Sequence, residues 1–235
     1  MSDIRGRQRV RQLSAALFDM DGLMFDSERL SWRLINQAGA EFGCDPLPFD
    51  RYILAIGKTA QETRKIFSQM CGGDQATYNA IEARFWELDR QYVRRFGPPK
   101  KPGLLELLSA LAARDVPCAV ASSTQAARVE ENLETAGIRK YFAVVIGGDQ
   151  APHSKPAPDI FLRAAELLGY PATDCLVVED SFAGVRAGHA TGAFVVMVPD
   201  LLQPTEEIAA LTNLICKSLS ELAELVADNT ICFSK

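Results

Sequence analysis

Two aspartates one residue apart, Asp19 and Asp21, are the first residues whose types and spacing indicate chemistry. They follow Leu17-Phe18, and an apolar run that stops at an acid is typical of a buried strand ending at a polar sheet edge. Both carboxylates project to one side while the chain stays extended, and Gly22 then permits a sharp turn. Carboxylates held this close repel each other unless a cation joins them, and Mg²⁺ prefers such oxygen ligands. A second interpretation stays open, in which both acids only end a strand.

More polar residues follow the later apolar runs of the chain. Ser122 and the pair Glu179-Asp180 each end such a run, and Asp149 and Lys155 lie in the loop after another. Phosphoryl transfer needs this mixture, because carboxylates hold a metal, a cation and hydrogen-bond donors hold the phosphate, and a nucleophile works with an acid-base partner. Asp149 ranks lower, because it is equally explained as a turn residue after two glycines.

The segment after Gly22 has helical spacing. Apolar residues at Leu30, Leu34, Ala38 and Phe42 predict a helix that begins near Asp26 or Ser27. Two more helices are predicted at about 60–70 and 74–96, with no strand between Asp26 and Phe96. We interpret the aromatic residues of this block, including Trp32 and Trp86, as the core of a small helical bundle.

The stretch Gly97–Gly103 contains three prolines and is the clearest linker, so we predict a domain boundary there. Beyond it, predicted strands and helices alternate, which specifies a parallel sheet with helices on both faces. The predicted strands cover residues 15–18, 116–122, 142–146, 175–178, 193–198 and 214–216. The predicted helices between and after them cover about 104–114, 125–136, 158–168, a stretch after Ser181, and 220–226.

These elements predict an α/β fold, a Rossmann-like doubly wound parallel sheet with an inserted helical-bundle cap. Because the first strand belongs to the sheet, the core domain is discontinuous, with residues 1–25 and 98–235, and the cap domain is 26–97. At 235 residues, 48% hydrophobic and 23% charged, the chain is long enough and apolar enough to fold unaided.

Composition excludes several classes of partner. The net charge of −5 argues against nucleic acid, and the basic cluster Arg5, Arg7, Arg9 and Arg11 is better explained as a frayed, solvated terminus. No segment approaches the ~20 apolar residues of a membrane helix or resembles an export signal, so we expect no membrane partner and a cytoplasmic protein. The six cysteines are scattered without a close pair and are interpreted as small buried hydrophobes.

Four motifs, in order along the chain, resemble those of the haloacid dehalogenase (HAD) superfamily of phosphotransferases. They are Asp19-Met20-Asp21-Gly22, the strand end Ala121-Ser122, Lys155 in Ser154-Lys155-Pro156-Ala157-Pro158-Asp159, and Glu179-Asp180-Ser181 followed by Gly184. The resemblance covers nearly the whole core. Within the superfamily, the chain resembles the branch that has a helical cap after the first strand and that includes β-phosphoglucomutase and its phosphatase relatives.

The resemblance implies a role for each acid. Asp19 is expected to be the nucleophile that becomes an aspartyl-phosphate, and Asp21 the general acid and then the general base. Asp19, Asp180 and the backbone carbonyl of Asp21 are expected to hold Mg²⁺, while Glu179 acts from outside the metal's coordination sphere. An acid at Asp21 also favours phosphoryl chemistry over dehalogenation, which needs neither the acid nor the metal.

The remaining implied roles concern the phosphate. Ser122 is expected to donate a hydrogen bond to the transferring phosphoryl group, and Lys155 to neutralise its charge and that of Asp19. The backbone amides of Met20 and Ser123 are further expected donors. We predict no role for the two histidines, His153 and His189.

Three cap and loop positions depart from the mutase pattern. The resemblance would place a histidine in line with Ser31, a phosphate-gripping arginine near Ala60, and an asparagine at Ala126; Lys58 could replace the arginine in part. We therefore predict a Mg²⁺-dependent phosphatase for a small phosphorylated metabolite, a sugar or polyol phosphate, acting as a monomer or weak dimer. The alternatives are a β-phosphoglucomutase-type mutase and, in another class, a non-catalytic binding or regulatory protein on the same fold.

Overall fold

A computed structural model describes residues 12–58 and 60–234 of the 235-residue chain. The basic cluster Arg5, Arg7, Arg9 and Arg11 lies outside the described residues. Contacts divide the chain into two compact units, one of Phe25–Pro99 and one that joins the segment ending at Met24 to the segment starting at Lys100. The predicted domains, 1–25 with 98–235 and 26–97, stay a prediction.

The discontinuous unit contains a six-stranded parallel sheet. Its strands are β1 (Ala15–Phe18), β2 (Cys118–Ala121), β3 (Val144–Ile146), β4 (Cys175–Glu179), β5 (Phe194–Met197) and β6 (Leu214–Ile215). They lie side by side in the order β3-β2-β1-β4-β5-β6, with all neighbours parallel. The predicted α/β fold class is confirmed, and every carboxyl end opens at one sheet edge.

The described residues also form ten α-helices. They are α1 (Ser27–Glu41), α2 (Phe49–Ile53), α3 (Ala60–Phe67), α4 (Gln75–Phe96), α5 (Leu104–Ala112), α6 (Ala126–Thr135), α7 (Asp159–Leu168), α8 (Phe182–Ala190), α9 (Glu206–Ala210) and α10 (Leu219–Ala227). Helix α7 packs on β1, β2 and β3, and α8 packs on β4 and β5. Ala15 and Leu17 of β1 join the core cluster beneath these helices, while the alternate residues point to the other face.

The unit Phe25–Pro99 is helical, and its core is formed largely by α1 against α4, with Met70 added from the α3–α4 connection. Leu30, Leu34 and Ala38 pack with Ile81 and Leu88 in one buried cluster, which confirms the predicted helical periodicity. The prediction that Trp86 belongs to the bundle core is wrong. Trp86 is 50% exposed, because it follows Phe85 by one residue and so lies about 100° round the helix from the buried face. Phe42, the last residue of the predicted repeat, is 45% exposed, because α1 ends one residue before it.

Trp32 and the six cysteines, which the sequence predicts to be buried, differ in their burial. Trp32 is half-buried, and its indole nitrogen donates to the carbonyl of Leu47 at 2.8 Å. All six cysteines are free thiols, of which Cys118, Cys175 and Cys216 are buried and the other three are only half-buried. Among the described helices, none has the length and the apolar run needed to cross a membrane.

Candidate active site

Asp19 lies directly beyond β1 and is 7% exposed. Its backbone N–H donates to the carbonyl of Val178 on β4 at 3.1 Å, so the residue is fixed between the two central strands. Gly22 follows at φ 80°, a left-handed conformation that L-residues rarely adopt. A Cβ at Gly22 would also lie 2.2 Å from Oδ2 of Asp180, so this turn requires glycine for two reasons.

Lys155 connects the buried carboxylates. Its side chain is 5% exposed, and its amino group donates to Oδ1 of Asp19 at 2.5 Å, to Oε1 of Glu179 at 2.6 Å and to the carbonyl of Ala121 at 2.9 Å. These three acceptors use all three donors of an ammonium group. The lysine is therefore held in one position, where its charge faces both acids.

Glu179 ends β4, and its side chain is fully buried. While Oε1 accepts from Lys155, Oε2 accepts from the backbone N–H groups of Asp180 and Ser181 and from the Ser181 hydroxyl, each at 3.0 Å. The same hydroxyl accepts from the N–H of Gly184 and so caps α8. The hydrogen bonds of Glu179 thus fix Lys155 and the loop that carries Asp180.

Asp180 differs from Glu179 in having an unsatisfied atom. Its Oδ1 is buried and has no hydrogen-bond partner among the described residues. Carboxylate oxygens of Asp19, Glu179 and Asp180 lie within 4.8 Å of one another. A buried carboxylate oxygen without a partner is costly, and a group of hard oxygen donors this close suits a divalent cation such as Mg²⁺.

The electrostatics of the described site leave a negative charge to be balanced. Burial raises the pKa of Asp19 to about 8, although Lys155 acts in the opposite direction. Burial also raises the pKa of Asp180 well above its usual range, and the charges of Glu179 and Asp19 add to the shift. Burial alone would lower the pKa of Lys155, but Asp19 and Glu179 raise it instead, so the lysine stays charged. A bound cation would favour the ionised form of both aspartates.

Asp21 belongs to an adjoining group at the end of β2. Its Oδ2 accepts from the hydroxyl of Thr124 at 2.8 Å and lies 3.4 Å from the hydroxyl of Ser122. The Ser122 hydroxyl in turn accepts from the N–H of Thr124 at 3.1 Å. The sequence interpretation missed Thr124; the only signal for it was its place two residues after the predicted strand end.

The side chains of the remaining candidates are not part of the hydrogen bonds given above. Ser123 is exposed. Asp149 accepts from the N–H of Ala126 at 2.8 Å and so holds the start of α6, which favours its interpretation as a loop residue. His153 is exposed beside Asp159, and Nδ1 of His189 lies 3.1 Å from the carbonyl of Leu211.

The sequence is similar to several characterised or named proteins. It is 42% identical over 197 residues to a bifunctional riboflavin kinase/FMN phosphatase of Arabidopsis thaliana, covering 82% of this chain and 50% of that protein. It is 33% identical over 204 residues to a probable pseudouridine-5'-phosphatase of Drosophila melanogaster, covering 81% and 84%. It is also 34% identical over 184 residues, 76% of this chain, to the chloroplastic protein SUPPRESSOR OF QUENCHING 1 of Arabidopsis thaliana, of which the match spans only 17%.

Solved structures agree with the fold. CbbY from Rhodobacter sphaeroides, in complex with phosphate, superposes with a TM-score of 0.70 at 25% identity, covering 90% of this chain and 96% of CbbY. β-Phosphoglucomutase from Clostridium difficile superposes with a TM-score of 0.67 at 19% identity, covering 93% and 97%, which is a likeness of fold alone. The sequence matches the family model described as haloacid dehalogenase-like hydrolase over residues 16–198. With its aspartates, lysine and parallel sheet in this arrangement, the chain belongs to the haloacid dehalogenase-like hydrolase family.

Proposed function

We propose that the protein is a Mg²⁺-dependent phosphatase that hydrolyses a small phosphorylated metabolite through an aspartyl-phosphate on Asp19. The observation that carries this proposal is the ammonium group of Lys155 held between Asp19 and Glu179, beside the unsatisfied oxygen of Asp180. A nucleophilic carboxylate, a fixed cation and a metal-suited oxygen in one crevice are the parts that phosphoryl transfer needs.

Asp19, Asp180 and the backbone carbonyl of Asp21 are the residues we assign to Mg²⁺. The donor set fits, because it consists of hard oxygens and contains a buried carboxylate atom with no partner among the described residues. Both oxygens of Glu179 already accept hydrogen bonds, so we leave it outside the coordination sphere. When bound, the ion supplies positive charge that favours ionised Asp19 and stabilises charge on the phosphoryl oxygens.

The proposed reaction has two displacements at phosphorus. A carboxylate oxygen of Asp19 forms a bond to phosphorus while the ester P–O bond breaks, and Asp21 gives its proton to the leaving alkoxide oxygen. Asp21 then accepts a proton from water as the water oxygen attacks phosphorus and the bond to Asp19 breaks. The products are an alcohol and inorganic phosphate, and both aspartates return to their starting states.

Other residues of the chain hold these two acids and the phosphoryl group. Lys155 neutralises the carboxylate of Asp19, and Ser122 with the amides of Met20 and Ser123 donates to the phosphoryl oxygens. Thr124 holds the carboxylate of Asp21 through its 2.8 Å hydrogen bond, which orients the acid toward the leaving group.

We propose a sugar or polyol phosphate as the substrate. FMN and pseudouridine-5'-phosphate, for which two relatives are named, are phosphate monoesters of a ribityl and a ribosyl hydroxyl, which supports this class. The residues that a mutase would use are replaced, since Ser31, Ala60 and Ala126 lack the charge or the amide that the resemblance requires. Water is therefore the proposed phosphoryl acceptor. We also propose that the protein is cytoplasmic and acts as a monomer or weak dimer.

A panel of sugar and polyol phosphates with Mg²⁺, followed by release of inorganic phosphate, tests this function. We expect release from at least one compound, and loss of that release in excess metal chelator and in Asp19→Asn. No release from any of them, together with conversion of β-glucose 1-phosphate to glucose 6-phosphate, would favour the mutase. Absence of both activities with Mg²⁺ bound would favour the non-catalytic alternative.

A further inference from the structure

Another ion pair, largely withdrawn from solvent, lies at the same sheet edge as the candidate active site and takes no part in the proposed reaction. The amino group of Lys101 is 2.5 Å from Oδ1 of Asp200, and the two side chains are only 17% and 5% exposed. Most surface ion pairs contribute little, but a buried pair is expensive to form and strongly destabilising to break. An ion pair of this kind at the sheet edge that carries the candidate active site therefore needs an explanation.

Lys101 is hydrogen-bonded to the loop that follows β1. Its backbone N–H donates to the carbonyl of Met24 at 2.9 Å, and the N–H of Met24 donates to the carbonyl of Met20 at the same distance. Met20 lies between Asp19 and Asp21. The position of Lys101 is thus fixed relative to the turn that carries both proposed catalytic aspartates.

Asp200 lies on the loop that follows β5. Glu179 at the end of β4 pairs with Met197 at the end of β5, and the carbonyl of Glu179 accepts from the N–H of Val198 at 2.7 Å. In the sheet, β4 lies between β1 and β5. The Lys101–Asp200 bridge therefore joins the loops on both sides of the strand end that presents Asp180.

Asp200 and the proposed metal ligand Asp180 lie on the loops that follow two neighbouring strands, β5 and β4. Val198, two residues before Asp200, donates its N–H to the carbonyl of Glu179, the residue before Asp180, so the two loops start side by side. Negative charge that disfavours an ionised carboxylate also attracts a cation that binds to it. Lys101 has the opposite sign and holds Asp200 in place.

We infer that Lys101 and Asp200 are positioning residues that set the affinity of the Asp180 site for its divalent cation. Asp200 strengthens cation binding through its charge, and Lys101 limits that effect while fixing the carboxylate. This inference rests on the metal site of the proposed function.

Substituting each residue of the pair distinguishes an effect of charge from an effect of structure, because the two effects predict different directions of change in Mg²⁺ affinity. Asp200→Asn removes a negative charge and is expected to weaken Mg²⁺ binding by roughly threefold to tenfold, while Lys101→Met removes a positive charge and is expected to strengthen it by roughly threefold. Both variants break the same bridge, so a purely structural role would weaken binding in both. The double variant lacks both charges of the pair and is expected to bind Mg²⁺ within about twofold of the wild type.

Mg²⁺ affinity is measured by calorimetry on the full chain without substrate, at about pH 8.5 so that a carboxylate left alone stays ionised. Arg139→Met and Glu130→Gln serve as matched controls, because that pair has the same 2.5 Å separation but is more than a third exposed. Neither control is expected to change the affinity.

Weaker binding in Lys101→Met, or no change in Asp200→Asn, would overturn the inference while leaving the proposed function intact. If a single variant fails to fold, the double variant decides, because a structural role predicts a clear loss of affinity there. If the wild type itself bound no Mg²⁺, the proposed metal site would be wrong, and this inference with it.

Discussion

The charge balance around Lys155 dominates the candidate site at the scale of single residues. One ammonium group contacts two buried carboxylates, and a third carboxylate, Asp180, has an oxygen without a hydrogen-bond partner among the described residues. Three acids and one lysine are stable together only if protons or a cation make up the difference. The stability of the protein, its dependence on pH and its binding of a metal ion therefore all depend on the same residues.

Replacing Lys155 by methionine removes the only cation that contacts Asp19 and Glu179 in the described structure. Two buried carboxylates would lose their partner, so we expect the free energy of unfolding at neutral pH to fall by about 3–5 kcal/mol. Chemical denaturation of the metal-free protein measures the change. Lys140→Met, at an exposed position of the same unit, is the control and should shift stability by less than about 0.5 kcal/mol. Equal stability of both variants would contradict the charge balance.

The raised pKa of Asp19 predicts how the stability of the metal-free protein depends on pH. A carboxyl whose folded pKa is about 8, against 3.8 for the ordinary group, stabilises the fold at low pH and loses that contribution as pH rises toward 8. In chelator, we expect the wild type to lose at least about 1 kcal/mol more than Asp19→Asn between about pH 5 and 8. Denaturant unfolding at both pH values measures this difference. Parallel pH dependence in the two proteins would contradict it.

Thr124→Val tests the hydrogen bond that holds Asp21. Because the hydroxyl orients the proposed acid without reacting, we expect kcat to fall roughly tenfold to a hundredfold while the protein stays folded. Steady-state phosphate release and thermal unfolding measure the two effects. Thr135→Val is the matched control, since that hydroxyl donates to the carbonyls of Glu131 and Asn132 within its own helix. An unchanged kcat in Thr124→Val would remove Thr124 from the site.

Most of the site could be predicted at this scale, because buried strands that end in polar residues deliver them to one edge. Asp19, Glu179 and Asp180 are brought together in this way, and Lys155 reaches them from the loop after β3. Thr124 was missed because it lies in the loop beyond β2, where the direction of a hydroxyl depends on turn geometry that periodicity does not report.

At the scale of elements, the end of β4 and the start of α8 form one unit around Glu179. Ser181 links them, since its hydroxyl donates to Glu179 and accepts from Gly184. There is no space between the helix and the carboxylate, because a Cβ at Gly184 would lie 1.7 Å from Oε1 of Glu179. The glycine in this motif is thus required by close packing.

Gly184→Ala is therefore expected to displace α8 or Glu179 and to cost about 1–3 kcal/mol of stability, although alanine favours helices. Because Glu179 holds Lys155 and the Asp180 loop, Mg²⁺ affinity should fall as well. Thermal unfolding and calorimetry measure both effects. Ala183→Gly alters the same helical turn without adding atoms and should cost no more than about 1 kcal/mol with affinity unchanged. Greater stability of Gly184→Ala would contradict the packing.

The long helices were predicted, and two short helices were not. Helices α1 and α4 have clear apolar periodicity, whereas α2 and α9 have five residues each and show too little of a repeat to be recognised. Trp86 was assigned to the core because it is large and apolar, but the phase of α4 turns it outward.

At the scale of the whole molecule, the order of elements along the chain explains how one site forms from distant segments. β1 is separated from β2 by the entire unit Phe25–Pro99, yet the two strands are hydrogen-bonded neighbours. The prolines between Gly97 and Gly103 are the sequence feature from which we predict a domain boundary there. The substrate was not visible, because no motif in the sequence specifies which phosphorylated metabolite the protein binds.

Asp19 is the residue that we propose receives the phosphoryl group. In Asp21→Asn the proposed base is absent, so the aspartyl-phosphate should accumulate when the protein meets Mg²⁺ and acetyl phosphate, whose leaving group needs no protonation. Intact-mass spectrometry after acid quenching, followed by peptide mapping, measures the adduct. We predict the mass of one phosphoryl group on the peptide that contains Asp19, and no adduct in Asp19→Asn/Asp21→Asn. An adduct on another residue, or an equal adduct in the double variant, would contradict the account.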